Sequence, residues 1–274
     1  MNLCDKMVGV EQVEKGDGNN EMITIRHLDF SYGKYAVLHD VSAQVGTGDF
    51  LVIIGPNGSG KSTLIKCIAG IFNVKSGTIL IDGKPSGDYP VNQFAQTVAY
   101  IPQTEKGDLQ SLVFDTVLAG RKPYIRWKPS GDDYGKVADV LHQLGIEHLS
   151  MRYVNELSGG QQQTVMIARA LAQQTKILLL DEPTANLDLR HQLEIMNLLK
   201  ILSFNGLTII MSLHDINLAI RYASRLLMLK DGNVLAYEFA DNVTCTHIEN
   251  LYNIKVEMIT NEGARYCIPL GVDT

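Results

Sequence analysis

Four consecutive apolar residues, Leu51 to Ile54, open directly onto Gly55-Pro56-Asn57-Gly58-Ser59-Gly60 and then Lys61-Ser62-Thr63. This stretch restricts the fold more than any other. The apolar run is bounded by a Gly-rich turn, so it reads as a strand buried in the interior. Lys61 then opens a helix expected to reach about Ala69. The spacing Gly55-x-x-x-x-Gly60-Lys61-Ser62 fits the phosphate-loop pattern in the strand–loop–helix setting which that pattern requires. The chemistry accounts for the spacing. Glycines let successive backbone N–H groups curl around a polyphosphate where a Cβ would intrude. The helix N-terminus adds partial positive charge. Lys61 can reach the β and γ oxygens and the Ser62 hydroxyl can ligate Mg²⁺. Gly55 through Thr63 are therefore the candidate nucleotide-binding residues.

At 274 residues the chain can bury a sizeable core. It carries 24 basic and 30 acidic residues, a mildly acidic balance that does not call for a nucleic-acid partner. Cys4, Cys67, Cys245 and Cys267 lie far apart and form no C-x-x-C pair. A disulfide framework or zinc site is not expected, and a reducing cytoplasm fits. No apolar run approaches the roughly 18–20 residues that span a bilayer. The first residues do not read as a secretory signal.

Residues 1–20 read as a mobile tail. Alternation from Met22 to Arg26 marks a strand, and Val37 to Ser42, then a further short strand, lead to the turn Gly46-Thr47-Gly48-Asp49. Ser76-Gly77 begins a strand through Ile81 that closes at Asp82-Gly83. Residues 97–101 form another strand, ended by Pro102 with Gln103 beyond. Strand signals then fade. Asp133–Leu144 has helical spacing, so residues of about 104–172 read as a helical lobe inserted into the nucleotide domain. Ser158-Gly159-Gly160 starts a helix reaching about Ala172. Ile177–Leu180, Thr208–Leu213 and Leu226–Leu229 are apolar strands alternating with helices at Leu189–Leu202 and Ile216–Tyr222. Asp231-Gly232 turns a hairpin to Val234–Tyr237. Buried strands alternating with helices define an α/β class with a mainly parallel sheet.

Asp181-Glu182 ends an apolar strand, where ligands of open α/β sheets bind. One carboxylate can hold Mg²⁺, and the other can orient or deprotonate the water that attacks a γ-phosphate. His214 also ends an apolar strand, which would place its imidazole beside the same phosphate. Gln103 occupies a similar strand end, where its amide can touch Mg²⁺ or water, and it stands where the inserted lobe begins. That is a fitting hinge between nucleotide state and lobe position. Leu157-Ser158-Gly159-Gly160-Gln161 is, physically, a helix start able to cap itself or to hold an anion.

Taken together, these residues resemble the ABC ATPases in motif content and in motif order over roughly residues 22–240. Walker A is Gly55–Thr63, the Q-loop glutamine Gln103, the signature Leu157–Gln161, and Walker B Ile177–Asp181 followed by Glu182. The D-loop is Ala185-Asn186-Leu187-Asp188, and the switch histidine is His214. Tyr32, with Tyr35 as rival, matches the aromatic that stacks on adenine. The resemblance implies a P-loop NTPase core of RecA-like type, with an antiparallel β subdomain and the inserted helical lobe. It implies ATP and Mg²⁺ as ligands, with Ser62, Gln103 and Asp181 toward the metal. It implies Glu182, His214, Gln103 and Lys61 as the catalytic set, and Ser158, Gly159, Gly160, Gln161 and Asp188 as further nucleotide contacts. One motif set implies a homodimer or a similar ATPase partner, with Ser158 and Gly160 contacting the γ-phosphate in trans.

Val117-Leu118-Ala119-Gly120-Arg121-Lys122-Pro123-Tyr124 and Leu187-Asp188-Leu189-Arg190-His191-Gln192 are similar to stretches of ATPases that serve iron–siderophore, haem and cobalamin importers. That branch implies permease subunits in the membrane, indirect work with a periplasmic or extracellular solute-binding protein, and a peripheral place on the cytoplasmic face. Residues 111–128, with Trp127, would then face the permease. The rival is a soluble ABC ATPase of iron–sulfur cluster assembly. Two departures stand out. Thr164 takes a place where many relatives carry a basic residue, and residues 241–274, a C-terminal extension, match no motif and either pack against the sheet or regulate.

Overall fold

The computed structural model describes residues 21–75, 78–103 and 110–272. The expected tail 1–20 and the Ser76-Gly77 strand start lie outside these residues. Contacts divide the chain into two units, one of residues 106–174 and one of residues 21–105 with 175–274.

The larger unit opens with β1 (Glu21–Tyr32) and β2 (Tyr35–Gly46), an antiparallel pair. The two strand segments expected over Val37–Gly46 are one continuous strand. Its register slips between Ile25 and Leu28, and His27 and Asp40 there take φ values of 46° and 50°. A bulge of this kind keeps a long strand twisted and breaks the sequence alternation that marks an element. Next come β3 (Phe50–Ile54) and α1 (Lys61–Ile68), then β4 (Ile79–Ile81) and β5 (Lys84–Pro85). Strands β1, β2, β4 and β5 form an antiparallel sheet in the order β2-β1-β4-β5. The sequence gives no sign of α2 (Val91–Thr97), a short polar helix leading into β6 (Val98–Ile101).

The helical unit holds α3 (Val113–Leu118), α4 (Gly131–Gln143) and α5 (Gly159–Ala172). Ser130 and Asp133 cap α4 reciprocally. Asp133 also accepts from Arg121 Nε at 3.0 Å, and both side chains are buried. Arg121 Nη1 donates to Ala172 O and Gln174 Oε1, each at 2.9 Å, which ties the turn after α3 to the end of α5. The Ser130 backbone N–H and hydroxyl, with Arg121 adding to them, hold the Asp133 carboxyl down at about 2.

The larger unit resumes with β7 (Ile177–Asp181), α6 (Leu189–Phe204), β8 (Thr208–Ser212) and α7 (Ile216–Tyr222). The hairpin β9 (Arg225–Lys230) and β10 (Asn233–Phe239) follows, and then α8 (Cys245–Tyr252), β11 (Ile254–Asn261) and β12 (Ala264–Val272). The main sheet runs β10-β9-β3-β8-β7-β6, parallel except for β10. Every residue of β3, β7 and β8 is buried, which is why these strands read as unbroken apolar runs. Each fully buried Ile or Leu contributes about 1.5–3 kcal/mol by leaving water. Residues 241–272 pack as well as extend. The Asn217 side chain, on α7, exchanges two hydrogen bonds with the Cys267 backbone, and Arg265 donates to the carbonyls of Ala240 and Asp241.

Candidate functional site

The parallel ladder brings the carboxyl ends of β3, β7 and β8 side by side. Ser212 pairs with both Ile53 and Asp181 in register, and the Leu213 N–H donates to Ile53 O. The phosphate loop leaves β3, Asp181-Glu182 ends β7, and His214 follows β8, so three separate sequence stretches meet at one sheet edge.

Gly55 cannot be replaced without moving main chain, because an added Cβ would stand 2.0 Å from Leu229 O. Gly60 takes φ +102° and starts α1 with no side-chain cap. Pro56, Asn57 and Gly58 form the outer arc of the loop, and Asn57 and Gly58 are exposed. Ser59 Oγ is buried without a hydrogen-bond partner among the described residues. Lys61 Nζ donates to Gly55 O at 2.8 Å and to Pro56 O at 3.0 Å. Burial pulls its pKa below the ordinary lysine value, while the negative charges of Glu182 and Asp181 act in the opposite direction. This ammonium is desolvated and held at the loop.

Ser62 Oγ donates to Asp181 Oδ1 at 2.8 Å. Glu182 stands at φ +51°, a conformation that costs a non-glycine residue about 1–3 kcal/mol. Gln103 Nε2 donates to Glu182 Oε2 at 2.5 Å, and His214 Nε2 lies 2.6 Å from Glu182 Oε1. With Glu182 ionised its oxygens only accept, so the proton of the latter bond belongs to Nε2. Lys61, Ser62, Gln103, Asp181, Glu182 and His214 are thus brought together.

Other candidates take different places. The Tyr32 ring is half-exposed, edge-on to Phe30 and Phe72, and its hydroxyl lies 3.3 Å from Thr63 Oγ1. Tyr35 is 81% exposed, so Tyr32 has the more anchored ring. Asp188 caps α6, accepting from the His191 N–H and from its ring, and the His191 N–H is the first cause holding its carboxyl below the usual range. Ser158, Gly159, Gly160 and Gln161 belong to the helical unit. There the Ser158 hydroxyl accepts from the Gln161 N–H, and Gln161 Oε1 accepts from the Ser158 N–H. Thr164 is half-buried and donates to Gly160 O, one turn back on its own helix, at 2.9 Å. One residue of the cluster escaped the sequence reading. Ser212 Oγ donates to Asp181 Oδ1 at 2.7 Å and accepts from the Glu182 N–H at 2.9 Å. Its only sequence signal is a hydroxyl inside the apolar run Thr208–Leu213.

A Gly-rich loop between a buried strand and an uncapped helix, beside a Ser–Asp pair and a strand-end glutamate, defines a P-loop nucleotide-binding protein. The family model for ABC transporters matches residues 38–185. An uncharacterized ABC transporter ATP-binding protein of Methanocaldococcus jannaschii is 40% identical over 91% of this chain and 98% of its own length. The ferric enterobactin transport ATP-binding protein of Escherichia coli is 37% identical over 89% and 92%. Among solved structures, an ABC transporter assigned to the metal-chelate type superposes with a TM-score of 0.80 at 29% identity, covering 92% of this chain and 98% of that one. A dimeric cassette bound to ADP and Pi superposes at 0.69 with 31% identity, covering 80% and 99%. The chain belongs to the ATP-binding cassettes of the ABC transporter family, and its activity is that of an ATPase.

Proposed function

We propose that this chain is the ATP-hydrolysing subunit of an importer for a metal chelate, of iron–siderophore, haem or cobalamin type. It works as a dimer, peripherally on the cytoplasmic face of the membrane, against permease subunits carried on other chains. No helix among the described residues is long and apolar enough to cross a bilayer. The likeness to the enterobactin and metal-chelate proteins supports the solute class.

The observation that carries the hydrolytic part of the reading is Glu182 clamped between Gln103 and His214 beside the Ser62–Asp181 pair. The phosphate loop and Lys61 bind the polyphosphate, and Tyr32 offers a ring to the base. Glu182 orients a water and takes its proton as the oxygen attacks the γ-phosphorus. The bond from that phosphorus to the ADP oxygen then breaks. His214 and Gln103 fix the carboxylate, whose remaining lone pairs accept from the water. The donor set also fits Mg²⁺. Ser62 and Asp181 supply hard oxygens, with the Gln103 amide near by. Substrate phosphates and water would complete the shell. When bound, Mg²⁺ neutralises charge on the phosphates. Ser158, Gly159, Gly160 and Gln161 meet the γ-phosphate held by the partner copy, with Asp188 at the same junction.

The test is purification of the full chain from its native membranes in mild detergent, with partners identified by mass. A co-purifying multi-span permease is the expected result. Recovery of soluble partners alone would overturn the importer reading and leave the ATPase chemistry in place.

A further inference from the structure

Glu182 does not hold its position by its own preference. It takes φ +51°, and an L-residue enters the left-handed region only where the surroundings fix it. Two of the restraints grip its carboxylate, Gln103 and His214, and both of those residues are exposed. The main-chain restraint is different in kind. The Glu182 N–H donates to Ser212 Oγ, and Ser212 is fully buried in β8, between β3 and β7.

We propose that Ser212 is a positioning residue for the reaction, holding the Glu182 backbone so that its carboxylate stays between Gln103 and His214. The inference rests on the base role assigned to Glu182 above. A hydroxyl suits the task because it can accept and donate at once. Ser212 accepts the Glu182 N–H at 2.9 Å and sends its single proton to Asp181 Oδ1 at 2.7 Å. The same carboxylate oxygen also accepts from Ser62 at 2.8 Å. Ser212 therefore joins the Ser62–Asp181 pair to the main chain of the next residue, and that link does not depend on which partner Ser62 takes. The in-register pairing of Asp181 with Ser212 across β7 and β8 sets the distance. An aliphatic side chain in the same place leaves the Glu182 N–H and one Asp181 contact unanswered in a buried setting, and it frees the turn to rotate.

The experiment compares Ser212→Ala, Ser212→Thr and Ser212→Val in the full chain, with ATP turnover measured over a range of ATP concentrations. Thr and Val share one shape and suit a buried strand, so the hydroxyl is the difference between them. Ser212→Ala adds no volume and keeps the comparison open if the β-branched pair is too large to fold. Misplacing a catalytic group through its support costs on the order of 10–10²-fold in rate. We expect Ser212→Ala and Ser212→Val to lower kcat by that factor with KM for ATP within about twofold. Ser212→Thr should recover most of the loss, and Ser212→Ala should remove nothing further on a Glu182→Gln background. A kcat at the unsubstituted level, a loss confined to KM, or equal losses for Thr and Val would each overturn the proposal. If Glu182→Gln itself turned over ATP normally, the base assignment would fall first, so the two failures are separable.

Discussion

Helix α1 begins at Gly60, in a left-handed conformation and with no side-chain cap, whereas α5 begins at Ser158 with both bonds of a capping box made. The contrast extends to the polar groups around each helix. Near α1, Ser59 Oγ is buried without a partner among the described residues, Lys61 is desolvated, and Glu182 stands at a φ that disfavours it. In the helical unit, Ser130, Asp133 and Arg121 satisfy one another and the ends of their helices. An uncapped helix start leaves all its donors for an anion, and a capped one has already used one or two of them. The first region holds polar capacity in reserve for a ligand. Around Arg121 and its capping boxes the second spends it on its own stability, with Gln163 Nε2 on α5 a buried exception among the described residues.

Substitutions should therefore separate rate from stability according to region. The largest effect is expected in the helical unit. Arg121→Ala leaves Asp133 buried without its cation and should destabilise the chain by about 3–5 kcal/mol, while ATP binding at the phosphate loop survives in the folded fraction. Chemical denaturation, read beside nucleotide binding, checks both halves. The Asp133 carboxyl, held down at about 2, also sets an acid limit. Its folded-state value lies below the ordinary value of about 3.9. Its contribution is whole above that pH and is lost as the pH falls toward about 2. Glu182→Gln should do the opposite of Arg121→Ala. The amide cannot accept the water proton, so turnover should fall by about 10²–10³, or about 3–4 kcal/mol of barrier. ATP binding and the melting temperature should stay as they are. Near-normal turnover would refute the role of Glu182, and a large loss of stability would erase the contrast between the regions.

Sequence and structure agree best where chemistry fixes spacing. Gly55, Gly60, Lys61 and Ser62 must stand at set intervals to wrap a phosphate, and Asp181-Glu182 must follow a strand, so all were visible in one chain read alone. The mainly parallel sheet was equally legible, because β3, β7 and β8 are apolar without interruption. Features that depend on register or distance were not. Ser212 looks like any serine until β7 and β8 align it with Asp181. Arg121 and Asp133 are separated by a turn with no period to link them, and α2 is too short and polar to show a face. The bulge at His27 and Asp40 hid the full length of β1 and β2. Residues 245–272 were opaque for a related reason. What organises them is the Asn217–Cys267 exchange, a contact across a long sequence separation.

The smallest expected effect is also the one that probes the contrast most finely, because Ser158 lies in the self-satisfied region yet is assigned a ligand. Its hydroxyl now accepts the Gln161 N–H. Loss of an N-cap typically costs about 1 kcal/mol, so Ser158→Ala should lower stability by roughly that amount. A cap alone predicts nothing more. If the hydroxyl also meets a γ-phosphate held by the partner copy, turnover should fall further than the loss of folded protein explains. Ser158→Asp tells the two roles apart, since aspartate caps as well as serine but brings a negative charge toward the phosphate. Recovery of stability without recovery of ATP-dependent dimerisation would show that one group of the helical unit serves both its own helix and the ligand. Recovery of both would make Ser158 a cap and no more, and the division between the two regions would then be complete.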